Sequence, residues 1–363
     1  MAFFPERGHR ALLAMALAAT GLLAACGTTP APAPVTEARV ISVLYGTNRF
    51  DTGDQVPDLR YSGDTGPLSL GRAQVSIPED HAIGELEEPD LFTWSEPDPR
   101  EYVLLLSLET LDGDQFLRAL TDELRSAKRQ EALIFVHGIN NDFGSAIRRS
   151  AQFANDLDWG GATIAFAWPA YDGILDFDSD KEIAEEAAPA LAQLLELIDS
   201  AGIAHRDHVV AHSMGGRIAV MALSLIANDR GIDGRGPMID ELVLAAPEIP
   251  STMLQAEAPD LDRMTGRTTL YVSRADRALL LAGRYTGDDS AGNAANTVLI
   301  LPGVQTIDAT EINNEFLGHS YYRTNRALLA DMHQLLTTGL GPDRRFGLVP
   351  VQTDAGTYWA FRP

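Results

Sequence analysis

The chain has 363 residues, 45% hydrophobic and 22% charged, a balance that builds a sizeable globular core and excludes global disorder. Its 28 basic and 51 acidic residues leave a net charge of −23, so no duplex nucleic-acid partner is expected, because such binding must neutralise phosphates. The lone cysteine, Cys26, excludes an internal disulfide framework and a cysteine-rich zinc site.

Residues 1–25 read as a removable signal peptide. Arg7, His9 and Arg10 precede an apolar run over residues 11–23, shorter than the roughly 20 residues of a bilayer-spanning helix and suited to secretion. Leu23-Ala24-Ala25-Cys26 resembles the bacterial lipobox, in which small residues precede a cysteine that is lipidated and becomes the mature N-terminus. The expected membrane partner is therefore reached through acyl chains on Cys26, each buried methylene contributing about 0.8 kcal/mol. Gly27 is not the aspartate associated with inner-membrane retention, so the expected address is the outer membrane, facing the periplasm. Residues 26–38 form a linker whose GTTPAPAP stretch is extended and semi-rigid, and a single domain is expected over 39–363. Loss of the leader leaves a charge of about −24, which an anionic lipid surface repels.

From Val40 onward the chain alternates strand-like and helix-like segments. Short β-branched or apolar runs at 40–45, 73–77 and 102–108 predict strands at the start of a sheet, separated by Pro- and Asp-rich loops. Residues 114–129 carry helical spacing in Phe116, Leu117, Leu120 and Leu124, with Asp114 as the expected N-cap. Continuous apolar runs follow at 132–136, 162–167, 208–211, 241–245, 268–272 and 297–301, with helical or loop segments between them. Buried runs alternating with helices predict right-handed crossovers and a mostly parallel sheet covered on both faces. The fold class is α/β.

Smaller features fill in the pattern. Ser179 and Glu182 fit a capping box opening a helix toward Ile198, which Pro189 should kink or break. Asp176, Asp178 and Asp180 alternate like a calcium loop, but Lys181 and Ala187 stand where glycine and an acid are needed. Residues 283–296 read as a small polar solvent loop. Asp354-Ala355-Gly356 predicts a terminal hairpin over about 346–361, with Trp359 and Phe361 on one face.

The sharpest local signal is Ala211-His212-Ser213-Met214-Gly215, between a strand and a helix over 217–227. It is similar to the nucleophile elbow of the α/β-hydrolases, G-x-S-x-G, with Ala211 replacing the first glycine. Small residues two before and two after the serine let strand and helix cross closely, and alanine adds only a methyl. A serine needs a base to take its proton, and in this chain order the base follows the serine. Only His319 and His333 do so. His333 sits within a predicted helix at 322–336, whereas His319 lies in a loop just before it and is favoured. The acid should follow a late strand: Asp276, after 268–272, is the first choice, with Glu248 and Asp308 as rivals. An aspartate at this turn also suits the cap of the helix at 277–282, a common structural role. Oxyanion donors are expected from the backbone N–H groups of Met214 and Ile139, the latter in the turn after strand 132–136. Asn140, Asn141, Trp168, Tyr171 and Tyr322 are candidate pocket residues.

These pieces lie in order along most of the chain. Tyr45-Gly46-Thr47-Asn48-Arg49, Val75-Ser76-Ile77-Pro78, Phe135 to Asn141, Ala167-Trp168-Pro169, the serine elbow, Ala246-Pro247-Glu248, Tyr271 to Asp276 and Leu317 to Tyr322 together resemble a family of bacterial α/β-hydrolases. That family is esterase/lipase-like, of unknown function, and includes many lipoproteins. The resemblance implies an α/β-hydrolase fold, with antiparallel strands on the N-terminal side, and a hydrolase activity without fixing a substrate. Glu248 stands where the family commonly has aspartate. The reading that follows is a serine hydrolase of small carboxylic esters or lipids, using Ser213, His319 and Asp276 and needing no metal or organic cofactor. The alternative is a non-catalytic envelope lipoprotein that uses the fold as a binding scaffold. High acidity disfavours polyanionic substrates and leaves neutral ones undistinguished.

Overall fold

In a computed structural model of the chain, the described residues are 38–89, 96–170, 177–231, 236–287, 289–313 and 319–362. The expected signal peptide and tether, with Cys26, and also Tyr171 and Asp176 lie outside them. The chain opens with β1 (Arg39–Asp51) and β2 (Tyr61–Ile77), which pair antiparallel from Arg39↔Ile77 to Thr47↔Ser69 and continue past bulges into polar ends. Both outrun the apolar segments that announced them. β3 (Leu105–Leu111) adds antiparallel to β2; it starts after Tyr102, whose amide closes a turn on Asp98. Helix α1 (Gly113–Ser126) is capped by Asp112, not Asp114, through a reciprocal box with Gln115.

The parallel part follows. β4 (Glu131–Val136), α2 (Phe143–Asp156), β5 (Ala162–Phe166) and α3 (Phe177–Ala201) lead to β6 (Arg206–His212) and α4 (Met214–Arg230). β7 (Ile239–Ala245), α5 (Ser251–Met264), β8 (Thr265–Val272), α6 (Arg277–Thr286) and β9 (Val304–Asp308) continue it. α7 (Tyr321–Thr324), α8 (Arg326–Thr338), β10 (Leu348–Thr353) and β11 (Gly356–Phe361) complete the chain. The sheet order is β10-β11-β9-β8-β7-β6-β4-β5-β1-β2-β3. All pairs from β1 through β11 across the middle are parallel, with antiparallel pairs at both edges. The terminal hairpin is thus also a sheet edge, and the chain carries antiparallel pairing at its C-terminal end as well as the expected N-terminal one.

Period-two alternation with both faces covered explains the continuous apolar runs. Ile134, Val136, Val209, Ala211, Leu242 and Leu244 enter one buried cluster with α1, α3, α4 and α5. Leu133, Phe135, Val210, Val243 and Ala245 enter the other, with α8 and Phe153. Strand order reverses at β4, which has β5 on one side and β6 on the other. In open parallel sheets a crevice for ligands opens beyond the strand ends at such a point.

Four expectations need correction. Residues 297–301 form no strand: Val298 and Leu301 pack into the core, and a turn at Gly303 delivers the chain to β9 instead. An apolar run alone does not separate packing from ladder pairing. Residues 289–296 are no solvent loop, since Ala291 and Ala294 are buried and Gly292 hydrogen-bonds Pro247 and Ser273. α3 begins at Phe177, ahead of Ser179, and runs unbroken through Pro189. Burial of Ala187, Ala188, Leu191, Leu194 and Leu195 offsets the roughly 3 kcal/mol that an interior proline costs. The helix expected at 322–336 is two helices, divided at Asn325, whose side chain caps Ala327 and Leu328.

At the N-terminal end of β6, Asp207 has a buried carboxylate oxygen without a partner. Burial, then the charges of Asp240 and Asp199, push its carboxyl up to about 7. The native state therefore keeps a proton that the unfolded chain releases near pH 4, and the stability this contributes is lost as pH rises through about 7. Asp207→Asn should add on the order of 1–3 kcal/mol at pH 8 and little at pH 4. Urea unfolding at the two pH values measures the difference.

Candidate active site

The elbow forms where β6 meets α4 at the switch in strand order. Ser213 sits between them at φ 54°, ψ −126°, a conformation that costs a non-glycine residue energy and persists only where neighbours enforce it. Here its amide donates to Ala245 O at 3.1 Å, and its carbonyl accepts from Gly216 at 2.9 Å and Glu248 at 3.1 Å. Asn140 (φ 59°) and Ala246 (φ 46°) are likewise left-handed. They follow β4 and β7, the strands flanking β6, so three strained residues crowd the same strand ends. Gly215 makes the crossing possible: a Cβ there would fall 2.4 Å from His137 O and 2.5 Å from Val136 O.

The structure brings three predicted side chains together. His319 Nε2 lies 2.9 Å from Ser213 Oγ, and His319 Nδ1 lies 2.8 Å from Asp276 Oδ2. A carboxylate only accepts, so this contact puts the imidazole proton on Nδ1 and leaves Nε2 to accept from the serine hydroxyl. Asp276 is fully buried. Its other oxygen, Oδ1, accepts from Leu279 N at 3.0 Å and caps α6, so one carboxylate both caps a helix and meets His319. Glu248 instead lines the cavity beside the serine. Asp308 is committed to Thr310 through its backbone and hydroxyl groups. His333 donates from Nδ1 to Leu157 O at 2.8 Å, away from Ser213.

His212 supports the arrangement in a way that its place in the motif did not announce. Its Nε2–H donates to the backbone oxygen of His319 at 3.2 Å, and its ring stacks on Tyr322 with centroids 4.1 Å apart. Burial, followed by the nearby His319, holds it well below the ordinary imidazole range. A neutral His212 can stand beside His319 without opposing a positive charge there.

The turn after β4 is braced from several sides. His137 is buried, its pKa driven down to about 3 chiefly by burial and then by Arg49. Its neutral ring donates from Nδ1 to Gly138 O at 2.7 Å and lies parallel to Trp168, whose indole N–H donates to His137 O at 2.8 Å. Asn141 Nδ2 reaches Ile139 O at 2.9 Å, and Arg49 donates to Asn141 O at 2.6 Å. Because a trans peptide points C=O and N–H in opposite directions, holding Gly138 O against His137 turns the Ile139 amide away from it. Neither that amide nor the Met214 amide has an acceptor among the described residues. Ile139 lines the cavity, while the Met214 side chain is buried in the core at the start of α4.

A cavity of about 700 Å³ opens over Ser213 and His319. Asn140, Asn141 and Tyr322 line it; Trp168 braces the turn from within the core. Arg149, Arg277 and Arg323 also line it, and the sequence carried no signal for them. Among the described residues no cluster of histidine, cysteine and acidic side chains could hold a metal, and no helix is long and apolar enough to cross a membrane.

The model of the family described as alpha/beta hydrolase of unknown function (DUF900) matches residues 113–338, well over half the chain and the whole stretch from α1 to α8. The chain belongs to this family. DUF900 membership makes it an α/β-hydrolase in fold, within a family described as of unknown function. An uncharacterized protein of Nostoc sp., alr1448, is 34% identical over 67 residues, which is 18% of this chain and 17% of that protein. The chain thus spans under a fifth of that relative's length. Similar solved structures include an esterase from Pyrobaculum calidifontis, at 12% identity, covering 83% of this chain and 85% of the other with a TM-score of 0.35. Acyl-protein thioesterase 2 of Zea mays is 18% identical, covering 60% and 96% with a TM-score of 0.36. The carboxylesterase EstE1, cloned from a metagenomic library, is 12% identical, covering 85% and 91% with a TM-score of 0.36.

Proposed function

We propose that this DUF900 hydrolase is a serine hydrolase of carboxylic esters, with Ser213 as nucleophile, His319 as base and acid, and Asp276 as the group that orients the imidazole. The observation that carries this reading is the unbroken line Ser213 Oγ, His319, Asp276, at 2.9 and 2.8 Å. In the first step the Ser213 oxygen bonds to the ester carbonyl carbon while its proton passes to His319 Nε2. The carbonyl becomes an oxyanion that the Ile139 and Met214 amides receive. Collapse expels the alkoxide, which takes the proton from Nε2 and leaves as the alcohol, and the acyl group stays on Ser213. Water then surrenders a proton to His319 and attacks the acyl carbon; the acid leaves and the proton returns to Ser213. Asp276 keeps its charge throughout and stabilises the imidazolium.

The cell-envelope address belongs to the same proposal. A lipid on Cys26 would hold the domain at the outer membrane, facing the periplasm, and the leucines of α6 on the cavity wall suit an acyl chain.

The full chain, solubilised in a non-ionic detergent, should react with a fluorophosphonate probe to give a stoichiometric adduct on Ser213, located by peptide mass spectrometry. Ser213→Ala should give none. His319→Ala should label at least about a hundredfold more slowly, since an unassisted serine is a weak nucleophile. A folded wild-type chain that takes no label would refute the reading and favour a binding scaffold.

A further inference from the structure

Three arginines line the cavity, Arg277 at the start of α6 and two others that have no part in the chemistry assigned above. Arg149 projects from α2, and Arg323 from α7, four residues beyond His319; both line the cavity that contains Ser213. Their hydrogen bonds go to neutral acceptors: Arg149 to Gln152 Oε1 at 2.8 Å, and Arg323 to the carbonyl of Gly84. Among the described residues neither forms an ion pair with a carboxylate. Arg148, next along α2, is the contrast, since it pairs with Asp58 and with Glu88. The cavity wall carries one described carboxylate, Glu248, and it pairs with neither guanidinium.

Both guanidiniums are held in place from behind. Gln152 is fully buried and gives its amide to Asp156 at 2.5 Å. Asp156 is fixed in turn by His81 at 2.8 Å and by the Gly84 amide at 2.8 Å. The peptide groups of Gly84 therefore serve both arginines: the N–H anchors the carboxylate behind Arg149, and the C=O receives Arg323. Gly84 adopts φ +87°, and a Cβ there would fall 2.7 Å from Thr324 Cα, so the turn is pressed against α7. Burial, and next the charge of Arg323, lower the Arg149 pKa, while Tyr322, Glu88 and Glu85 act in the opposite direction. Both side chains are half-buried, and a charge drawn out of water is normally met by an opposite one.

We propose that the substrate is an ester carrying an oxyanion, a carboxylate or a phosphate, which Arg149 and Arg323 bind while Ser213 attacks the ester carbonyl. This rests on the reading of Ser213 as the nucleophile. A guanidinium presents a planar fork of donors that matches such oxyanions in pairs of hydrogen bonds. Leu279, Leu280 and Leu281 of α6 line the same cavity, so the remainder of the substrate is apolar. The net charge of −23 acts against highly charged polymers approaching from a distance, but it is screened beyond about 10 Å at 0.1 M salt. The guanidiniums act in contact.

The test compares 4-nitrophenyl esters of half-acids from adipate to sebacate with their ω-methyl esters, using the full chain in non-ionic detergent. A matching ω-phosphate series separates the two oxyanions. For at least one chain length kcat/KM should favour the anionic ester by about tenfold or more, as expected for charge-assisted hydrogen bonds. Arg149→Gln and Arg323→Gln should each move that ratio toward one, and Arg149→Lys should keep part of it. Circular dichroism confirms that each variant is folded. A ratio near one in the native chain, or one that survives both glutamine substitutions, overturns the proposal. If no ester is hydrolysed, the nucleophile reading fails on its own. Calorimetry with heptanoate and hexyl phosphate against heptanamide then decides the anion site: oxyanion binding that is lost in Arg149→Gln supports it, and no binding overturns it.

Discussion

Asp276→Asn should lower kcat for ester hydrolysis by about ten-thousandfold while shifting the unfolding free energy by less than about 1 kcal/mol. The two effects separate because the carboxylate divides its oxygens. Oδ1 caps α6 through Leu279 N, and an asparagine carbonyl can keep that bond. Oδ2 accepts from His319 Nδ1, and the asparagine amide placed there can only donate. The imidazole must then carry its proton on Nε2, facing Ser213 Oγ, where it cannot accept the serine proton. Asp276→Ala removes both bonds and should cost stability as well as rate. Glu248→Gln, which alters the rival acid beside the cavity, should change kcat by less than about tenfold. Steady-state kinetics and urea unfolding on the three variants decide the matter. A fully active Asp276→Asn would transfer the orienting role elsewhere and leave Asp276 as a helix cap alone.

How far the sequence could be read depends on how local each determinant is. The elbow was legible because its constraint lies within five residues: the serine, small residues on either side, a strand before and a helix after. The parallel core was legible because strands buried on both faces must be apolar throughout. His319 and Asp276 could be ranked from chain order and from their places after predicted elements, although their distance from Ser213 could not. Residues 297–301 misled because burial in a loop and burial in a strand select the same side chains. Pro189 does not break α3, because the packing of that helix outweighs a local preference. Arg149 and Arg323 were invisible for a different reason. One lies on a helix like its partnered neighbour Arg148, and only the turn at Gly84, far away in the chain, turns the pair into a cationic wall. His212 was noted as part of the motif, but its support of the His319 carbonyl is likewise a contact between distant segments.

Gly215→Ala should destabilise the chain by roughly 3–5 kcal/mol, at the upper end for overpacking, because the added methyl meets backbone and not a movable side chain. Its Cβ would fall 2.4 Å from His137 O and 2.5 Å from Val136 O. Those carbonyls cannot easily withdraw. Val136 is registered against Ala211 in the β4–β6 ladder, and His137 O is held by the Trp168 indole. Relief must come from separating the first turn of α4 from the end of β4, which would also shift Ser213 and the Met214 amide. Fluorophosphonate labelling should therefore fall by more than the folded fraction alone explains. Gly63→Ala, where nothing lies within 4 Å of the new methyl, should stay within about 0.5 kcal/mol. The strand-side small residue of the elbow behaves differently, since the Ala211 methyl is already packed in the core. Ala211→Gly, although it restores the commoner motif, should cost about 1 kcal/mol through lost packing and added chain entropy. The close crossing is thus demanded on the helix side of Ser213, and the methyl at 211 is a feature that the fold uses.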